Sequence, residues 1–236
     1  MSTFAVRPLM RGLSLVELMV GITIGLFIVA AATVMATGQL NENRRLLLES
    51  QLQQDLRATT DIITRELRRV GSVRAAQNMI ASPTTAAQSN ALAPTTPASG
   101  VSSPADVTFK YERSLTEAGP YGFRLDSGII KTQLVNASTG ATLGWQDLTD
   151  GTVMEVTAFS VAINREPAQE LPCPKLCASG DTTCWPVLYV REFVVDISAR
   201  MRNNPEIQRS VRSRVRARND QVEFRMGGSP PPACPS

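Results

Sequence analysis

The chain has 236 residues, a formal net charge of +3 and no histidine. That length leaves room for an anchor and one globular domain. The nearly balanced charge supplies no basic field for nucleic acid, and the missing histidines remove the commonest general base and metal ligand.

Residues 1–12 form a short leader with Arg7 and Arg11, and an uninterrupted apolar tract follows from Leu13 to Gly38. A secretory signal carries its cleavage site beyond the apolar stretch. Here the small residue of the junction, Gly12, comes before it, so the tract stays on the mature chain. As a helix, 13–38 is about 39 Å long, enough to cross a hydrocarbon core of about 30 Å. Arg7 and Arg11 place the N-terminus on the cytoplasmic side; Arg44 and Arg45 weaken that bias without reversing it. One acid, Glu17, sits inside the tract. An ionisable residue inside a membrane span is costly and marks a functional position. A plain single-pass anchor, with Glu17 reaching the interface, leaves the Gly12 junction unexplained.

The segment 39–71 continues the helix. Leu48, Leu52, Leu56, Ile63, Leu67 and Val70 recur at helical spacing, Asp61 and Arg65 form an i,i+4 pair on the other face, and Gly71 is the stop. The stripe from Leu52 to Val70 is predicted to cover the core of a domain. The connection 72–106 is read as a surface loop. Its Ala81–Ala105 part is rich in Ala, Ser, Thr and Pro and too poor in large apolar groups to offset its ordering entropy.

The segment 107–236 reads as an antiparallel sheet with a cysteine loop and a tail. Strands are predicted at Val107–Glu112, Tyr121–Leu125, Ile129–Val135, Val153–Asn164, Leu188–Met201 and Ser210–Asn219. Asp126-Ser127-Gly128 makes the first hairpin turn, and the Asn203-Asn204-Pro205 region joins the last two strands. The fold class is therefore α+β, a long N-terminal helix packed on an antiparallel sheet.

Cys173, Cys177, Cys184 and Cys234 make an even count on the side opposite a cytoplasmic leader, which reads as disulfides in an oxidising periplasm. Three pairings are open, and each ties Cys234 to the 173–184 segment. A zinc site is the rival, but the C-x3-C and C-x6-C spacings do not fit the common paired pattern. No metal and no cofactor is expected. Trp185, beside Cys184, packs on an edge or anchors a partner from the disulfide loop.

Arg212, Arg214, Arg216 and Arg218 alternate with Val211, Ser213, Val215 and Ala217, so all four arginines leave one strand face. Such a row can meet phosphates or an acidic partner. A pairing of Ala199 with Val211 and of Val195 with Val215 sets Asp196 opposite Arg214 and Glu192 opposite Arg218. That register half-neutralises the row and leaves Arg212 and Arg216 for a partner surface. Asp147, Asp150 and Glu155 lack the oxygen spacing of a calcium loop and read as solvated turn residues.

Gly12 followed by Leu-Ser-Leu-Val-Glu-Leu-Met-Val resembles the class III leader junction of the type IV pilin superfamily. The resemblance implies cleavage by a prepilin peptidase between Gly12 and Leu13 and N-methylation of Leu13, where the usual residue is Phe. It places the family's glutamate on Glu17, which is thought to pair with the amino terminus of a neighbouring subunit. Opposite charges in low dielectric attract strongly and relieve each other's desolvation. The tract holds no proline between Leu13 and Gly38, unlike many major pilins, so a stiffer helix and a minor subunit are expected.

The implied function is a minor pilin that helps initiate pilus assembly, in a tip complex with other minor pilins and an adhesin. It lies in the inner membrane with its C-terminal domain in the periplasm and is incorporated in the pilus. No reaction is catalysed; the chain is the peptidase's substrate. Expected partners are other minor pilins and the major pilin through the helix, the tip adhesin, the prepilin peptidase and the inner membrane, and not nucleic acid. A type II secretion pseudopilin shares every feature of the helix. A membrane-tethered periplasmic binding domain that never polymerises is the alternative from another class.

Overall fold

The structure is a computed structural model that describes residues 14–72, 92–93, 106–113, 119–173, 176–177 and 179–223. The architecture is α+β, as the periodicities predict: one long N-terminal helix and antiparallel sheets. The chain divides into two compact units at residues 47 and 48.

Helix α1 spans Leu15–Leu67. In its Leu15–Leu47 stretch every position but Gly25 is exposed, and Leu15, Leu18, Ile22, Leu26, Phe27 and Val34 stand more than half open. It is the one described helix long and apolar enough to cross a membrane by length and composition. Such an apolar surface needs a cover of lipid or protein.

From Leu48 onward the helix behaves differently. Leu52, Leu56, Ile63 and Leu67 are completely buried. They recur at i, i+4, i+11 and i+15, which keeps them on one stripe. Each such leucine or isoleucine contributes about 1.5–3 kcal/mol by leaving water. Thr59 and Thr60 lie in the same stripe, and the Thr60 hydroxyl is satisfied by donating to Leu56 O at 2.7 Å. The predicted stop holds. Gly71 takes φ 75°, a left-handed conformation that suits glycine, after a short turn through Val70. Its N–H donates to Lys110 O at 3.0 Å, and its carbonyl accepts from the Asn219 side chain at 2.9 Å.

Three antiparallel sheets follow. The first has the order β1(Leu92–Ala93), β2(Asp106–Phe109), β3(Tyr121–Asp126), β4(Ile129–Val135), β5(Thr142–Asp147). The second is β10(Asn204–Arg216), β9(Arg191–Met201), β6(Met154–Arg165). The third is small: β11(Gln221–Glu223), β8(Val187–Tyr189), β7(Gln169–Glu170). The predicted hairpin turn is correct. Ser127 at φ 53° and Gly128 at φ 78° form a two-residue link with Asp126 paired to Ile129. The single strand predicted over Leu188–Met201 is two strands, because the chain changes sheet at Val190. β1, β5, β7 and β11 were not anticipated, and β1 lies within the segment read as a surface loop. They are short or polar, and a two- or three-residue strand carries no periodicity to detect.

The core joins the helix stripe to both larger sheets. Phe109, Phe123 and Ile130 come from the first, and Val161, Phe193, Val195 and Ile197 from the second. Val156 N–H donates to Gly128 O at 2.8 Å, which ties the β3–β4 turn to β6.

Candidate functional site

The leader junction, Gly12 and Leu13, lies outside the described residues. Glu17 is described. It occupies the first turn of α1, where a negative charge is favoured by the helix dipole, and its side chain is exposed. Among the described residues it has no side-chain hydrogen bond or ion pair. The Leu18 N–H donates to Ser14 O at 3.1 Å, so the helix ladder is already running at this acid. Glu17 is thus a lone carboxylate in a field of exposed apolar side chains.

The arginine strand is β10, an edge strand, and Arg212, Arg214 and Arg216 leave one exposed face of it; the strand ends at Arg216, so Arg218, expected on the same strand, is exposed in the bend beyond. Its register differs from the expected one by two residues. Val211 faces Ile197, Ser213 faces Val195 and Val215 faces Phe193. Asp196 therefore stands opposite Arg212, with Nε 3.5 Å from Oδ1, and not opposite Arg214. Arg216 faces Glu192 across the ladder and lies 3.6 Å from Asp220. The two arginines reserved for a partner, Arg212 and Arg216, are the ones with acids beside them. Arg214 faces Val194 instead. Arg214 and Arg218 have no ion pair among the described residues. The cause is the tight turn, which sets Asn204 opposite Met201; the irregularity between Asn204 and Gln208 makes up only part of that offset. Further along, Arg209 pairs with Glu49 of the helix, a link no local spacing announces.

Of the three acids read as turn residues, Glu155 lies in β6 instead, and it and Asp150 hold local structure. Glu155 is a fork for Arg200, with N···O distances of 3.0–3.1 Å. Asp150 Oδ1 accepts from Thr152 N–H and hydroxyl at 2.8 and 2.7 Å, bonds that hold its carboxyl below the usual range. Among the described residues no cluster of three or more His, Cys, Asp or Glu is placed to hold a metal.

Cys177 and Cys184 form a disulfide, and Cys173 is disulfide-bonded too. Cys234 lies outside the described residues. Asp181 organises the loop between the first two. Its carboxylate accepts from the hydroxyls of Thr183 and Ser179, each at 2.7 Å, and these bonds lower its pKa. Trp185 is half-buried at the loop's exit, its N–H donating to Thr182 O at 3.0 Å.

Two polar features in the core escaped the sequence. Tyr111 donates its hydroxyl to Glu66 while Arg113 donates to the same hydroxyl at 2.7 Å, and Tyr121 stacks on Tyr111 at 4.3 Å. Burial first, then the hydrogen bond to Glu66 and its charge, push the Tyr111 phenol up to about 12. Arg191, the first residue of β9, is fully buried; its Nη2 donates to Asn219 O at 3.3 Å while Nε and Nη1 lack partners. Burial, reinforced by nearby Arg165, lowers its pKa to about 10.

No curated protein and no solved structure matches the chain. A family model does: that of prepilin peptidase-dependent protein B, over residues 45–217. The match begins beyond the apolar tract and covers most of the amphipathic half of the helix and every strand but β11, so it is independent of the leader motif. It spans well over half of the chain, and the chain belongs to the prepilin peptidase-dependent protein B family.

Proposed function

We propose that this chain is a minor pilin, similar to PilW, that helps initiate type IV pilus assembly. In this reading it sits in a tip complex with other minor pilins and an adhesin. The observation that carries the proposal is Glu17, a carboxylate without a partner among the described residues, on an exposed apolar helix. In lipid such a charge needs a counter-charge brought by another chain. The amino terminus freed by cleavage between Gly12 and Leu13 supplies one. Family membership supports handling by a prepilin peptidase, and the likeness to PilW rests on the junction and on the Val194–Arg200 and Val215–Asn219 runs.

In this reading the chain is processed and N-methylated at Leu13, anchored in the inner membrane by 13–38, and carries its sheets in the periplasm. It catalyses no reaction and needs no cofactor. The test has two arms. Intact mass of the purified native chain should show a methylated N-terminus at Leu13; a chain still beginning at Met1 refutes the proposal. Glu17→Ala at normal protein level should cut the number of surface pili severely. An unchanged pilus count favours a non-polymerising tether, and loss of secretion with pili intact favours a type II pseudopilin.

A further inference from the structure

Two exposed patches of the folded unit differ in charge. One is the β10 edge, tied to helix α1 through the Arg209–Glu49 pair. Arg212, Arg214 and Arg216 are exposed there, with Arg218 exposed in the bend just past the strand, and Arg214 and Arg218 make no ion pair among the described residues. The other is an open groove of about 380 Å³ between the helix and the turn before β6. Asp55, Ala58 and Ile62 line it from the helix, and Asp150 and Val153 from the turn. Asp147 and Asp150 line the hollow next to it. Neither lining contains a lysine or arginine, though Lys131 Nζ lies 3.8 Å from Asp147 Oδ1, which leaves Asp55 and Asp150 as the acids without a cation among the described residues.

The two patches are complementary in sign but are different surfaces. A contact between them is heterologous: the basic edge of one chain meets the acidic groove of the next, leaving a free patch at either end. Arg214 lies on β10 and Arg218 two residues past its end at Arg216, so the two charges are spread along the end of this edge, an arrangement suited to several acids spread along a groove. The edge also offers unpaired backbone groups, and its charged side chains discourage apolar strands from pairing there.

We propose that the acidic groove at Asp55 and Asp150 receives the Arg214–Arg218 edge of a second copy of this chain, as a lateral contact between neighbours. The proposal rests on the reading that the chain assembles through its N-terminal helix. That assembly holds neighbours at high local concentration, where two or three exposed ion pairs decide orientation.

The test uses the full-length chain in its native membrane with a photo-crosslinking residue replacing exposed Ser210. The expected product is a dimer whose joined peptides come from β10 and from residues 51–62 or 147–154. Arg214→Glu with Arg218→Glu should lower its yield about tenfold, the effect of two exposed pairs turned repulsive. A tagged second copy carrying Asp55→Lys and Asp150→Lys should bring the yield back. Where the glutamate variant lowers protein level, Arg214→Gln with Arg218→Gln serves, with a loss of about threefold. No dimer, a yield indifferent to charge reversal, joined peptides from other regions, or capture of a different polypeptide alone each overturns the contact. Leader cleavage at Gly12 is measured on the same samples. If it is normal while the dimer fails, the contact falls and the pilin reading stands; an intact leader refutes the pilin reading itself.

Discussion

Arg212 sits directly across the sheet from Asp196, with its Nε 3.5 Å from the carboxylate. The pair closes part of the arginine row on itself and leaves Arg214 and Arg218 open. Both side chains are about half exposed, which limits what the contact contributes. Asp196→Ala should destabilise the fold by less than about 1 kcal/mol, and the loss should fade in high salt. Thermal melts of wild type and variant at two salt concentrations check this. A loss of several kcal/mol that is indifferent to salt would mean that Asp196 holds the sheet together by something other than charge.

Tyr111 gives the structure an alkaline limit. Its phenol is pushed up to about 12 by burial and by Glu66. The unfolded chain releases this proton near the ordinary value of about 10. The folded-state pKa is the higher one, so the protonated phenol's stability is fully present below about 10 and is lost as pH rises from there towards 12. Tyr111→Phe should remove that part of the alkaline decline. It should also cost about 1–3 kcal/mol at neutral pH, since Glu66 loses a donor in a half-buried place. Denaturant melts across the alkaline range separate the two effects.

How much of this was legible depended on the length of the pattern. The stripe Leu52, Leu56, Ile63 and Leu67 and the Gly71 stop could be read because a helix repeats its period over many turns. The Ser127–Gly128 hairpin was legible because its chemistry is local. The β9–β10 register was not. Met201 pairs with Asn204 across a two-residue link, and the irregularity before Gln208 then shifts every later pair. The shift from the expected register is even, so each side chain kept its predicted face while changing its partner. Tyr111–Glu66 and Arg209–Glu49 join residues far apart in the chain, and composition carries no trace of either.

Arg191 is a charge the fold tolerates at a cost. It is completely buried, yet two of its three nitrogens lack partners, and Asp220 and Glu223 offset its burial only through space. Replacing a poorly satisfied buried charge with an apolar side chain of similar volume is often stabilising by about 1–4 kcal/mol. Arg191→Met should therefore raise the melting temperature or leave it unchanged. Arg191→Ala should lower it, because the volume is lost as well. A large drop for Arg191→Met would show that the guanidinium's bond to Asn219 O, beside the Asn219 side chain's bond to Gly71 O, carries more than its geometry implies.

The cysteine loop supplies the last test. Cys177 and Cys184 close a ring of eight residues, for which chain entropy alone gives about 2.5 kcal/mol. Much of that ring is already held by Asp181, whose carboxylate takes two hydroxyls and the Thr183 N–H, and by Cys177 N–H donating to Asp181 O at 2.9 Å. Cys177→Ser with Cys184→Ser should therefore cost about 1–2 kcal/mol, less than the entropic figure. The other pair has the opposite character. With Cys177 and Cys184 joined and Cys173 bonded as well, the sequence leaves Cys234 as its expected partner, a loop about sixty residues long worth roughly 4 kcal/mol. Non-reducing peptide mapping should find Cys177–Cys184 within one short peptide and Cys173 joined to the C-terminal peptide. Cys173→Ser with Cys234→Ser should then destabilise the protein more than the short-loop variant does. Equal losses, or a map that joins Cys173 to a second chain, would refute the assignment.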